Sequence, residues 1–152
     1  MSVDNKQIER TLIGKLILNP QDFYNNHSLL SPELFNDSKN KRIYTYLSKE
    51  LEDGNKVDLV TLSEKISKNG EDLTTDVAKM ISEDAYLETQ ALTCILVLNQ
   101  KKKKEQLMSL NNQITDMLNR DDDLFEIIEY VEDQVGKIGN VSKDEIVNVS
   151  EQ

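Results

Sequence analysis

The sequence predicts an all-α protein, with a compact bundle of short helices followed by a long antiparallel helical hairpin. The 152 residues include only five glycines and two prolines, whereas a β-sandwich needs frequent turn residues. Apolar residues recur at spacings of three and four, which is typical of amphipathic helices. Residues 87–119 contain neither Gly nor Pro, so one uninterrupted helix is possible there. We predict a helical head over residues 1–86, a hairpin of the same domain over 87–139, and the start of a linker over 140–152.

Helix start signals organise the head. Asp4 and Gln7 have the spacing of a capping box, and the helix that they open should end before Pro20. Ser31 is expected to cap a helix that opens on a proline, and Asp58 to cap another. The helix that follows Asp58 is predicted at about residues 59–69. The other head helices are predicted at about residues 20–25, 39–52 and 75–82.

The hairpin carries the apolar stripes that we expect to mediate self-association. A polar break at residues 119–123 separates its two helices, and Asp123 with Glu126 again has capping-box spacing. An isolated pair of helices is marginal in water, so the stripes must be buried. A partner, which could be a second copy or another protein, and the head of the same chain are equally good candidates for covering them. The predicted self-association residues are Leu107, Leu110, Ile114, Met117, Leu124, Ile128, Val131 and Val135.

Catalytic, cofactor and metal sites are not expected in this chain. No Gly-x-x-x-x-Gly-Lys-Ser/Thr segment is present to cradle a nucleotide phosphate. His27 and Cys94 are the only histidine and the only cysteine, too few to build a four-ligand zinc site. We interpret His27 as a solvated loop residue and Cys94 as a small core residue. We therefore expect no enzyme activity, no cofactor and no metal.

The charge pattern indicates a protein-binding module in the cytoplasm. A formal net charge of −10 disfavours independent binding to a nucleic-acid backbone. The basic run Lys101–Lys104 spreads around its helix, so a solvated face is favoured over a nucleic-acid contact. Asp121–Asp123 precede a helix, where acidic groups complement the helix dipole, and this is favoured over cation binding. The polar N-terminus lacks a signal-peptide core, and a lone cysteine suits a reducing compartment.

Three motifs, taken in order, resemble the N-terminal domain of bacterial replicative DNA helicases of the DnaB family. Residues 8–14 read Ile-Glu-Arg-Thr-Leu-Ile-Gly and resemble the family's Glu-x-x-Val-Leu-Gly opening. Residues 30–35, Leu-Ser-Pro-Glu-Leu-Phe, followed by Arg-Ile-Tyr at 42–44, are similar to its Pro-Glu-x-Phe…Ile-Phe/Tyr segment. Residues 54–62, Gly-Asn-Lys-Val-Asp-Leu-Val-Thr-Leu, resemble its Gly-x-x-Val/Ile-Asp-x-Val-Thr-Leu block. The resemblance covers about residues 5–140.

The resemblance implies a non-catalytic domain whose role in DNA replication is assembly. Hairpins of neighbouring subunits would pair, and six domains would form a collar, a trimer of dimers, above a ring of ATPase motors. The collar would dock the C-terminal domain of primase, and a helicase loader could also act on the ring. The linker at 140–152 would lead to the absent ATPase domain. DNA would be bound only through the full-length helicase, and no membrane is involved.

Two departures and two alternatives accompany this interpretation. Asn40 stands where the family usually has histidine, and residues 73–77 lack the glycines and the aromatic residue that often open the last head helix. That helix contributes to the family's primase-facing surface, so the contact residues for the partner are unknown. The alternative functions are a stand-alone regulator that binds or caps a helicase ring and a plain structural helical bundle.

Overall fold

The computed structural model describes residues 5–67, 70 and 72–139, and every regular element in these ranges is helical. The prediction of an all-α fold is therefore confirmed. The chain divides between Asn99 and Gln100 into two compact units. The first holds the short helices and the second the hairpin. The predicted linker at 140–152 lies outside the described residues.

Seven α-helices follow one another along the described chain. The long helix predicted without interruption is present and spans 29 residues. Within the described ranges, no helix combines the length and the apolar character that crossing a bilayer requires. The helices are α1 (Asn5–Leu18), α2 (Gln21–Asn25), α3 (Ser38–Glu52), α4 (Leu59–Ser67), α5 (Thr74–Ser82), α6 (Ala91–Asn119) and α7 (Leu124–Gly139), with 3₁₀ turns at His27–Leu29, Pro32–Leu34 and Asp84–Tyr86.

The predicted caps are confirmed at two helix starts and wrong at a third. The Asp58 carboxylate accepts from the backbone N–H of Thr61 at 2.8 Å, and this hydrogen bond lowers the pKa of Asp58. Asp123 accepts from the N–H of Phe125 at 2.9 Å at the start of α7. The prediction that Ser31 caps a helix is wrong, because its side chain makes no cap bond and only a 3₁₀ turn follows.

At the start of α1, the predicted partner Asp4 lies outside the described residues. The Gln7 amide instead donates to Thr11 at 3.2 Å and to Asp84 at 3.1 Å. Gln7 thus ties α1 to the turn before α6, a contact between residues distant in sequence that a local capping pattern does not reveal.

Helix α1 lies at the centre of the first unit. Two pairs of adjacent aliphatic residues of α1 face the core of this unit. Helices α3 and α5 and the Asp84–Tyr86 turn all contact α1. Cys94 on α6 is also buried, as predicted, and burial raises the pKa of its thiol. The largest fully buried side chains of this core are Leu12, Ile13, Leu16, Phe23, Phe35, Ile43, Tyr44, Leu47, Leu51, Leu62, Ile66 and Met80.

Gly14 allows α1 to approach α5 at backbone distance. A Cβ atom at Gly14 would lie 2.3 Å from the carbonyl oxygen of Met80 and 2.9 Å from the Cβ of Ala85. The first of these atoms belongs to the backbone and cannot rotate away. The glycine is therefore required by packing rather than by an unusual backbone angle.

Two ion pairs and two hydrogen bonds reinforce the same contact. The Arg10 guanidinium lies 2.9 Å from Asp84 and 3.5 Å from Asp76, and the side chains of Arg10 and Asp84 are largely buried. Lys15 donates to the carbonyl oxygens of Ala85 and Leu87, at 2.9 and 2.8 Å. These interactions place the turn that precedes α6.

Glu9 is a buried carboxylate that holds the start of α3 against α1. It accepts from the backbone N–H groups of Asn36 and Asp37, at 3.0 and 3.2 Å, and from the side-chain amide of Asn40 at 3.2 Å. Burial is the largest influence on its pKa and raises it, while the three donors oppose that shift. Asn40, the departure from the family's histidine, is thus a hydrogen-bond donor in the core.

Replacement of Gly14 by Ala is expected to destabilise the protein by about 1–3 kcal/mol, because the new methyl group would overpack a backbone contact. Urea unfolding followed by circular dichroism measures the change. Gly136→Ala is the matched control, since nothing lies within 4 Å of a Cβ there. That control should be neutral or stabilising by up to about 1 kcal/mol. Equal stability of the two variants would contradict the close approach of α1 to α5.

Candidate protein-interaction site

The hairpin is formed by the second part of α6 and by α7, and two hydrogen bonds show that they run antiparallel. The Tyr130 hydroxyl donates to the side-chain carbonyl oxygen of Gln113 at 2.6 Å. Lys103 donates to the backbone carbonyl oxygen of Ile138, one of the last in α7. As the residue number of the partner in α6 increases, that of the partner in α7 decreases, as an antiparallel pair requires. A lysine at the C-terminal end of α7 also complements the helix dipole there.

The turn between the two helices uses a left-handed backbone at Asp121, where φ is 57°. Aspartate tolerates this conformation better than most residues do. The backbone N–H of Asp121 donates to the carbonyl oxygen of Leu118 and that of Asp122 to Met117, both at 3.2 Å, so the end of α6 is capped by the turn itself. The polar break predicted at 119–123 is confirmed as the turn of the hairpin.

Helix α7 has a wider apolar face than α6 covers. Ile127 is 6% exposed, whereas its neighbour Ile128 is 53% exposed. Successive helical residues are about 100° apart, so these two side chains lie on adjoining parts of one surface. Leu124 and Val135 fall on the same outer strip as Ile128, and both are exposed. The inner strip packs inside the hairpin, and the outer strip remains uncovered.

Helix α6 adds a second exposed row along the same edge of the hairpin. Leu110 is buried. Seen along the axis of α6, Leu107 and Leu118 lie on one side of Leu110, and Gln113 lies on the other side. The Gln113–Tyr130 hydrogen bond marks one edge of the hairpin. Both exposed rows therefore lie on the other edge. We call this surface the apolar edge; it consists of Leu107, Leu118, Leu124, Ile128 and Val135.

The structure separates the eight predicted self-association residues into two groups of four. The enclosed residues, buried or half-buried, hold the hairpin together, and the exposed ones are available to a partner. Leu110, Ile114, Met117 and Val131 are enclosed, whereas Leu107, Leu124, Ile128 and Val135 are exposed.

Three exposed apolar residues of the hairpin lie outside the eight predicted self-association residues. Phe125 is 82% exposed at the start of α7, and Met108 and Leu118 are also exposed. Phe125 and Met108 lie off the apolar stripes from which the candidates were selected, so periodicity alone would not find them. The signal that could have indicated Phe125 as an exposed contact residue is its position close to the Asp123 cap and outside the apolar stripe.

The remaining polar candidates keep the roles that the sequence suggested or acquire structural ones. His27 is exposed, although in a 3₁₀ turn rather than in an open loop, and its imidazole lies 3.5 Å from the Glu52 carboxylate. Of the basic run, Lys101–Lys103 are half-buried and Lys104 is exposed. Among the described residues, no group of three or more His, Cys, Asp or Glu is arranged to hold a metal ion.

Comparison with known proteins assigns the chain to a family. Residues 2–89 match the family model described as the DnaB-like helicase N terminal domain. The chain belongs to this family. The replicative DNA helicase DnaB of Rhodothermus marinus is 20% identical over 146 residues, which cover 89% of this chain and 15% of that helicase. The resemblance found from the three motifs is thus confirmed, and the chain spans about 15% of the length of its curated relative.

The segment matched by the DnaB-like family model ends close to the start of α6. It includes Gly14, Glu9 and Asp58, whose packing and capping roles are described above. The apolar edge lies beyond it. Within this DnaB-like domain, the head is therefore the part that the family model matches.

The two adjacent isoleucines of α7 are expected to respond differently to truncation. Ile127→Ala should destabilise the hairpin by about 2–5 kcal/mol, because it empties a buried position. Ile128→Ala should change stability by less than about 1 kcal/mol in dilute, monomeric protein, since that side chain is half exposed. Thermal unfolding followed by circular dichroism measures both. A greater loss in Ile128→Ala would mean that the face assignment is wrong.

Proposed function

We propose that this chain is the assembly and docking domain of a replicative DNA helicase, through which subunits self-associate and primase is recruited during DNA replication. The proposal rests on membership of the DnaB-like helicase N-terminal domain family. The single structural observation that carries it is the apolar edge of the hairpin. The parent protein would be a cytoplasmic ATP-dependent DNA helicase, with its motor outside this chain.

Self-association would proceed by burial of the apolar edge against the same edge of a second copy. Large apolar side chains clustered on one side of a helical pair mark an interaction surface more often than isolated exposed residues do. An interface of this kind is isologous, because the same patch serves both subunits. Leu110, Ile114, Met117 and Val131 would support it from within by keeping each hairpin rigid. Three such dimers would form the collar of the hexameric ring.

Primase would dock on hairpin residues that the dimer leaves outside. Phe125 is the leading anchor, because exposed aromatic side chains often contribute most to binding energy. The expected partner is the primase C-terminal domain, and a helicase loader could use the same ring. By tethering primase to the helicase, the collar would raise its local concentration at the fork.

DNA would be contacted only through the full-length protein. The formal net charge of −10 repels phosphates. In the hairpin, the basic run Lys101–Lys104 is offset by acidic residues at and after the turn, at Asp121, Asp122, Asp123 and Glu126. The charge distribution thus favours protein partners over an extended nucleic-acid groove.

Ile128→Asp is expected to abolish self-association, because it places a charge in the centre of the apolar edge. Size-exclusion chromatography with light scattering measures the mass, and circular dichroism tests whether the helices persist. Asn112→Asp is the matched control, since it adds the same charge to an exposed position on α6 away from that edge. A variant with an unchanged dimeric mass would contradict pairing through this edge.

A calorimetric titration with the C-terminal domain of primase from the same source tests docking. We expect saturable binding that Phe125→Ala weakens by about tenfold or more, the loss typical of an aromatic anchor. Asn112→Ala, an exposed polar position, should leave the affinity unchanged. No binding by the folded protein would rule out primase docking while leaving self-association standing.

A further inference from the structure

The junction between α1 and α3 encloses a carboxyl group that is surrounded by neutral hydrogen-bond donors. Glu9 and Asn40 are each only 1% exposed. Glu9 accepts from the backbone N–H groups of Asn36 and Asp37 and from the side-chain amide of Asn40. A buried charge is unfavourable unless an opposite charge accompanies it. A carboxyl group in such a place can avoid this penalty by taking up a proton.

The cations that flank Glu9 along α1 are paired with other carboxylates. Lys6 lies 3.9 Å from Asp37, and Arg10 lies 2.9 Å from Asp84. Among the described residues, no cationic side chain forms an ion pair with Glu9 itself. Asp37 is negative and acts on Glu9 by repulsion, in the same direction as burial. Burial is the larger effect, and together they raise the pKa of Glu9 above its ordinary value of 4.5.

The other elements at this junction bring no opposite charge to the carboxyl group. On α3, Lys39 and Lys41 flank the buried Asn40 but are exposed. Glu33, in the preceding 3₁₀ turn, is also exposed. Tyr44 lies on the buried face of α3, and it stays neutral because burial raises its pKa. The environment therefore favours the neutral form of the carboxyl group.

The side-chain amide of Asn40 offers a hydrogen-bond acceptor to that neutral form. Its Nδ2 donates to Glu9 at 3.2 Å and to the carbonyl oxygen of Lys6 at 3.4 Å. Its Oδ1 is buried and accepts from no donor in the part of the chain that the structure describes. A protonated carboxyl group keeps acceptor capacity and gains one O–H donor. It can therefore retain the bonds that it accepts and also donate to the amide beside it.

From this geometry we propose that Glu9 is a proton-operated lock between α1 and α3, which takes up a proton in mild acid, donates it in a hydrogen bond to Oδ1 of Asn40, and so tightens the junction. The proton comes from solvent, and no covalent bond of the chain breaks. The ionised carboxylate holds the same donors, but it leaves a charge buried and the Asn40 acceptor unsatisfied. The lock belongs to the head and does not depend on the proposed self-association.

The sign of the pH dependence follows from the raised pKa. In the unfolded chain Glu9 has its ordinary pKa of 4.5, so the folded protein binds the proton more tightly. The stabilisation is fully present below pH 4.5 and is lost as the pH rises through the raised pKa of the folded protein. Asp58 acts oppositely and in another range, because its pKa is lowered from 3.8. Glu9 therefore makes the head more stable in mild acid than at neutral pH.

The protonation of Glu9 can be measured in the unaltered protein by nuclear magnetic resonance. The side-chain carboxyl carbon of Glu9, assigned through its correlations to the backbone, should titrate with a midpoint above 4.5. The side-chain carbonyl carbon of Asn40 should move with the same midpoint. The N–H groups of Asn36 and Asp37 should exchange with solvent more slowly at about pH 5 than at about pH 7, after correction for the intrinsic rate.

The effect on stability is measured by urea unfolding across the same pH range. The folding equilibrium constant should fall by up to about tenfold per pH unit, the limit for one proton. Glu9→Gln should lack this part of the pH dependence, because an amide does not titrate. Glu64→Gln is the matched control, since it removes the same charge at an exposed position of α4. That control should keep the pH dependence of the unaltered protein.

Each outcome decides one part of the inference. A Glu9 midpoint at or below 4.5 would overturn the lock. An Asn40 signal that stays constant while Glu9 titrates would overturn the hydrogen bond between them. Equal pH dependence in Glu9→Gln and its control would overturn the stabilising effect. If Glu9→Gln does not fold, the titration and the exchange rates of the unaltered protein still decide the inference.

Discussion

The mismatch between the apolar width of α7 and the surface that α6 can cover is the constraint on which the proposed assembly role depends. One neighbouring helix buries only a strip of a helix surface. Ile127 is enclosed and Ile128, one position further around the helix, is not. One apolar edge of the hairpin is consequently left uncovered. A partner would cover that edge. The unfavourable free energy of exposing its apolar side chains to water would drive assembly.

The head meets a different constraint, a backbone-to-backbone contact between α1 and α5. Gly14 makes it possible, and the Arg10–Asp84 ion pair with the hydrogen bonds of Lys15 holds the following turn in place. Glu9 anchors the start of α3 to the same helix. Polar groups that are buried with their partners satisfied rigidify a small domain. A packed head and an incompletely covered hairpin suit the proposed assembly and docking role.

Sequence reasoning was most successful where a local signal suffices. The caps at Asp58 and Asp123, the bounds of the helices and each motif of the confirmed family resemblance depend on residues close to one another in sequence. It was less successful where distant segments meet. Ser31 does not cap a helix, and Gln7 donates to the distant Asp84 as well as to Thr11 within α1. Capping patterns permit such bonds but do not exclude a competing long-range partner.

The sequence by itself determined that this protein is all-α, that it ends its described part in a helical hairpin, and that it is related to the DnaB-like helicase domain. Helical periodicity and capping are local properties, so one chain is enough to read them. Only the tertiary structure decided which of eight stripe residues close the hairpin and which remain outside, and that Phe125 is among the most exposed apolar residues. A hydrophobic stripe shows that a face must be buried, but which neighbour covers each residue depends on how two helices pack.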